Sequence, residues 1–161
     1  MHNKPEIIIY TDGAASGNPG PGGYGVVLMS GKHRKEMSEG FRLTTNNRME
    51  LLAVIVALET LKVQGSKVKI YTDSKYVVDS VNNRWVFDWE RKDFKKKKNP
   101  DLWKRFLKIY PKHHIQFIWI KGHANITENE RCDVLAVEAY KKPNLLIDAE
   151  YENAGEGEGL F

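Results

Sequence analysis

Strand-like blocks follow one another from Ile7 to Leu43 before any helical period begins, and this constrains the fold more than any other feature. Residues 7–14, 24–30 and 33–43 read as three strands, the last two joined by a short turn at Gly31. Consecutive strands with short turns pair antiparallel, so the sheet cannot be wholly parallel. At Asn46 the apolar spacing lengthens: Met49, Leu52 and Val56 mark one helical line, and Leu58 and Leu61 widen it. This helix is expected to run to about Gln64, with Gly65 closing it. Lys67 to Thr72 is a fourth strand, and Ser74 is the N-cap of a helix through Val81. A broken helical region runs from Trp85 to Tyr110, and a fifth strand spans 114–120. Thr127 and Glu130 have capping-box spacing and open a last helix ending near Tyr140. The order predicts an α/β fold with one mixed five-stranded sheet, a three-strand meander plus parallel strands, and helices packed on it. Sites in such sheets sit at the carboxyl ends of parallel strands.

The chain has 161 residues, enough for one domain with a sizeable core. With 41% apolar and 29% charged residues it is not a disordered sequence. No apolar run reaches the length of a membrane span. The opening "MHNKPE" has no signal-like apolar stretch. Cys132 is the single cysteine, which excludes an internal disulfide and a cysteine-rich metal site. A cytoplasmic protein without membrane association is expected. The net charge of +4 hides an asymmetry, because five of the 21 acids lie in residues 148–161, where there is no Lys or Arg. The body before them holds 25 basic residues against the remaining 16 acids, a surplus of nine that suits a polyanionic partner.

Four acids stand where acids are costly. Asp12 follows the apolar strand "EIIIYT" directly, still in strand register, before a glycine-rich turn. Either it caps that turn through its own backbone or it meets a cation. Asp73 follows the fourth strand, so the two carboxylates share one sheet edge if those strands are parallel neighbours. Glu50 interrupts the apolar stripe of the first helix, and Asp133 sits beside Ala136 and Val137 on the last. Capping by Asn47 and Glu50, a helix-dipole role for Asp73 and plain solvation of Asp133 are the individual alternatives. Together, on elements this topology brings to one place, the four would repel one another. Hard divalent cations relieve such repulsion, and an all-oxygen set selects Mg²⁺ or Mn²⁺ over zinc.

The blocks "YTDGAASGNPGPGGYG", "TTNNRMELLAVIVALE", "TDSKYV" and "WIKGHANITENERCDVLA" together resemble bacterial ribonuclease H of type I, over roughly residues 6–140. The resemblance implies a ribonuclease H-like fold and hydrolysis of the RNA strand of an RNA–DNA hybrid, leaving 5′-phosphate and 3′-hydroxyl ends. It implies two Mg²⁺ ions, with Mn²⁺ as a substitute, held by Asp12, Glu50, Asp73 and Asp133, with Asp12 bridging both. It makes His123 a proton carrier near the scissile phosphate, in a loop whose Asn125, Ile126 and Thr127 depart from the pattern of many relatives. It matches Gly13, Asn18, Thr45, Asn46 and Asn47 to hybrid contacts, and puts Lys75 where many relatives carry glutamine. It reads the region of about 85–105 as a basic protrusion gripping the DNA strand through Lys95, Lys96, Lys97 and Lys98, with Trp85 packing its base.

The catalytic domain is then expected over 1–143, with an acidic, glycine-rich tail over 144–161. The tail is expected to fold back on the cationic body, anchored by Leu160 and Phe161, or to dock a protein partner. The protein is expected to be a monomer. Rival readings are another nuclease of the same superfold, a resolvase or exonuclease, and a catalytically silent hybrid-binding module. The presence of all four carboxylates argues against the last.

Overall fold

The computed structural model describes residues 6–122 and 124–158. Five strands, β1 (Glu6–Ala15), β2 (Gly20–Ser30), β3 (His33–Thr44), β4 (Lys67–Thr72) and β5 (His114–Trp119), form one sheet in the order β3-β2-β1-β4-β5. β1 pairs antiparallel with β2, and β2 with β3; β4 runs parallel to both β1 and β5. The helices are α1 (Asn46–Thr60), α2 (Lys75–Asn82), α3 (Trp85–Arg91), α4 (Pro100–Ile109), α5 (Thr127–Lys141) and α6 (Ala149–Glu158). The expected meander and mixed sheet are present. None of the described helices is long and apolar enough to cross a membrane.

The core lies between one sheet face and α1. Ile7, Ile9, Val26, Leu28, Val68 and Ile70 meet Met49, Leu52, Ala53 and Leu58 there. α1 is buried nearly all round, because α4 and α2 cover the side that the sheet does not. α5 covers the β1–β3 part of the sheet and puts Cys132, Ala136 and Ala139 inside. Its close approach explains a difference from the expected glycine-rich turn. Gly20 to Gly25 belong to β2, with Gly25 paired to Asp12, and a Cβ on Gly25 would run into the Cys132 carbonyl. Gly23 and Gly25 are a seat for the α5 backbone.

Two helix ends differ from expectation. α1 ends at Thr60, where the Leu61 N–H bonds back to the Leu58 carbonyl and the backbone turns extended. Gly65 instead serves the turn into β4, at φ +76° with its N–H on the Lys112 carbonyl. The capping box at Thr127 is not formed: Ile126 is the N-cap without a side-chain bond, and Glu130 lines a cavity instead. Ser74 does cap α2, accepting the Val77 N–H at 3.2 Å.

Residues 145–152 lie against the body as a strap. Leu146 exchanges backbone bonds of 2.9 Å with Gly40 and Arg42 on β3, covering that edge strand. Asp148 is buried, and Glu152 accepts a bidentate pair from Arg42. Leu160 and Phe161, the expected anchor, lie outside the described residues.

Candidate active site

Parallel pairing keeps β1 and β4 in step, with Tyr10 opposite Tyr71. Asp12 and Asp73 each stand two residues past that pair, so both carboxylates reach the same edge. Glu50 is carried there by α1, and Gly13 is the reason it comes so close. A Cβ on Gly13 would collide with the backbone of Met49 and Glu50, while the bare Gly13 N–H donates to Glu50 Oε1 at 2.5 Å. Ligand oxygens of Asp12, Glu50 and Asp73 all lie within 4.8 Å of one another. Asp133 comes from α5 on the other side, interacts with the Asp12 carboxyl, and lines the same cavity of about 460 Å³.

The electrostatics are those of a site short of positive charge. Burial pushes the Asp12 carboxyl up to about 7; a proton shared with Glu50 offsets part of this, and the charges of Asp73 and Asp133 add to it. Burial, with Asp12 and then Asp73 beside it, raises Glu50 well above the usual carboxylate range. Glu50 is 4% exposed, and no donor among the described residues reaches its Oε2. Such an oxygen is costly unless a proton or a cation meets it. Crowded, donor-poor and all-oxygen, the donor set fits a hard divalent cation.

The other expected residues fall into three groups. Asn46, Asn47 and Lys75 line the acidic cavity, and Lys75 Nζ stands over the Trp119 ring at 4.9 Å. Thr45 and Asn18 support α1: Thr45 Oγ1 caps it through the Arg48 N–H, and Asn18 Oδ1 accepts the Asn46 N–H at 3.0 Å. Lys96, Lys97 and Lys98 line a second groove of about 410 Å³ with Trp85 and Trp89, into which Lys75 and Tyr76 also face. Lys97 Nζ lies 5.2 Å from the Trp89 ring centroid, and Lys95 is exposed outside that groove. Trp85 does not pack the base of the protrusion; it is 45% exposed on the groove, and Val86, Phe94 and Trp103 fill the base. His123 lies outside the described residues, although its neighbour Gly122 abuts the Asp73 carboxylate.

Sequence reasoning missed Asn129 and Trp119. Asn129 lines the cavity one helical turn before Asp133, buried, with Oδ1 meeting no donor among the described residues. Its i, i+4 relation to Asp133 was the available signal. Trp119 is 43% exposed at the end of β5 and donates its indole N–H to the Asp73 carbonyl at 3.1 Å.

The family model for RNase H matches residues 4–141. A Ribonuclease H of Desulforamulus reducens is 57% identical over 151 residues, covering 91% of this chain and 94% of its own. Among solved structures, LC9-RNase H1, described as a type 1 RNase H with the type 2 active-site motif, aligns with a TM-score of 0.78 and 31% identity. That alignment covers 96% of this chain and 82% of the other. LC11-RNase H1 in complex with RNA/DNA hybrid aligns with a TM-score of 0.62 and 32% identity, over 84% of this chain and 96% of its own. A match of this extent, on a fold that gathers the acids at one sheet edge, shows that the chain belongs to the ribonuclease H family.

Proposed function

We propose that this protein is an endonuclease that hydrolyses the RNA strand of RNA–DNA hybrids, leaving 5′-phosphate and 3′-hydroxyl ends. The observation that carries the reading is the carboxylate triplet of Asp12, Glu50 and Asp73, with Glu50 Oε2 buried and met by no donor among the described residues. A solved relative described in complex with RNA/DNA hybrid supports the substrate class. Asp12, Glu50, Asp73 and Asp133 would hold two Mg²⁺ ions, or Mn²⁺. Bound there, the ions supply activation of a water and stabilisation of charge on the departing oxygen.

The chain's own groups do the rest. Asn46 and Asn47 present small polar groups at the cavity rim, suited to a minor groove with its 2′-hydroxyls. Lys75 over Trp119, and Lys96 to Lys98 beside Trp85 and Trp89, offer cations and ring faces to a phosphate backbone. His123 carries a proton at the scissile phosphate, a task that imidazole suits. Residues 1–143 form the catalytic body and 144–161 its appendage, in a cytoplasmic monomer.

The test is cleavage of labelled hybrid, duplex RNA and duplex DNA, each with Mg²⁺ and with a chelator. Cleavage of the hybrid RNA strand alone, abolished by the chelator, is expected. Cleavage of duplex DNA would favour a resolvase or exonuclease, and binding without cleavage would favour a silent module.

A further inference from the structure

Arg48 stands two residues before Glu50 and is 4% exposed. A guanidinium this deep needs all five of its N–H donors met. Nε and Nη2 donate to the two oxygens of Asp148, at 2.7 and 2.9 Å. Nη1 and Nη2 donate to the two oxygens of Asp101, at 2.9 and 2.7 Å, and Nη1 also reaches Asn99 Oδ1 at 3.2 Å. Asp148 accepts one more bond, from Thr44 Oγ1 at 2.8 Å. Three segments distant in sequence therefore meet on one side chain: the junction of β3 with the first turn of α1, the start of α4 and the strap.

Two of those segments carry groups that line the proposed site. The first turn of α1 holds Asn46, Asn47 and Glu50 at the cavity. The start of α4 follows the lysine loop, and Asn99 Nδ2 and Trp103 Nε1 donate to the Tyr76 hydroxyl at 3.0 and 2.8 Å. Tyr76 lines both the acidic cavity and the lysine groove. The two bidentate forks on Arg48 fix the plane of the guanidinium, and with it the spacing of the pieces it joins. A buried ion pair adds little net stability over an apolar replacement, so geometry is the better account of its presence.

We propose that Asp148 is a positioning residue. Acting through Arg48, it holds the first turn of α1 and the start of α4 at the separation at which Asn46, Asn47 and the lysine loop engage one duplex together. The hybrid-cleavage reading supplies the identity of that duplex; the coupling itself does not depend on it.

The experiment compares Asp148→Asn, Asp148→Glu and Glu152→Ala, the last breaking the Arg42–Glu152 pair of the same strap without touching Arg48. Arg48→Met combined with Asp148→Leu replaces the pair by apolar groups, in case Asp148→Asn fails to fold. KM and kcat for hybrid cleavage are measured well below each thermal midpoint, with amide hydrogen exchange over 46–50 and 99–103. Asp148→Asn and the double variant should raise KM about fivefold or more with kcat within about twofold, and speed exchange in both segments. Asp148→Glu should recover part of the KM, and Glu152→Ala should stay within about twofold throughout. A lowered midpoint with unchanged KM would make Asp148 a structural brace only and overturn the proposal. If wild-type protein does not cleave hybrid, the functional reading fails and exchange alone decides: unchanged exchange in both segments overturns the coupling.

Discussion

α1 carries two buried charge clusters two residues apart, and they are built on opposite plans. Around Glu50 the chain buries carboxylates against one another, with no cation among the described residues bonded to Asp12 or Glu50, so both are driven toward their neutral forms. Around Arg48 it supplies a cation with two carboxylates and fills every donor. Burial there works against the charges, yet the Arg48 bonds hold Asp101 below the usual carboxylate range. The same helix turn thus shows that the fold can neutralise buried acid when structure is the aim. The crowded acids beside it are left for a cation from solution.

Removing the charge at the centre of the acidic cluster should have the largest effect. Asp12→Asn should cut hybrid cleavage by on the order of 10³ or more, several kcal/mol of barrier, with hybrid binding retained. The same change should stabilise the metal-free protein, because it deletes a buried, repelled carboxylate. A rise in midpoint of roughly 3–8 °C in chelator corresponds to about 2 kcal/mol at this length. Near-normal cleavage by the variant would erase the distinction between the clusters.

pH should separate the clusters by sign. Asp12 holds its proton more tightly folded than unfolded, since its pKa rises from 3.8 to about 7. Its contribution to metal-free stability is therefore greatest below about 4 and is lost as pH rises through 7. Asp101 is depressed when folded, so its contribution is present above about 4 and is lost as pH falls through the folded value. Denaturant midpoints in chelator should fall between pH 5 and 8 for wild type and fall less steeply for Asp12→Asn, in which buried Glu50 still titrates. Asp101→Asn should flatten the acid limb instead.

Changing Lys95, Lys96, Lys97 and Lys98 to Gln should matter least to chemistry. KM should rise with kcat nearly intact, and the salt slope of log K should flatten by roughly 0.7–0.9 per lost phosphate contact. An unchanged slope would make the run a solvated loop.

The carboxylates were legible because each broke a local pattern. Asp12 ended an apolar strand, Glu50 interrupted an apolar helix stripe, and parallel pairing then placed Asp73 beside Asp12. The Arg48 cluster was not legible. In "TNNRMEL" Arg48 looks like any surface arginine, and its partners lie 53 and 100 residues away. Nothing local marks a side chain whose burial is set by a strap docking late in the chain. Gly20 to Gly23 read as a turn because glycine is a poor strand former; the α5 backbone over Gly23, and the Ser16 and Ala14 carbonyls beside Gly20 and Gly22, leave no room for a side chain in that strand. Trp85 illustrates the opposite error, since an aromatic at helical spacing invites a core role that Trp103 fills instead.

Titrating Mg²⁺ while following thermal stability tests the central claim most directly, because it needs no substrate. A cation that binds the folded acidic cluster raises the midpoint as RT ln(1 + [L]/Kd). At pH 8 the wild-type midpoint should climb through millimolar Mg²⁺, and Asp12→Asn, already more stable in chelator, should gain far less. Equal Mg²⁺ responses in the two proteins would contradict the account, because the acids around Glu50 would then not be a cation site.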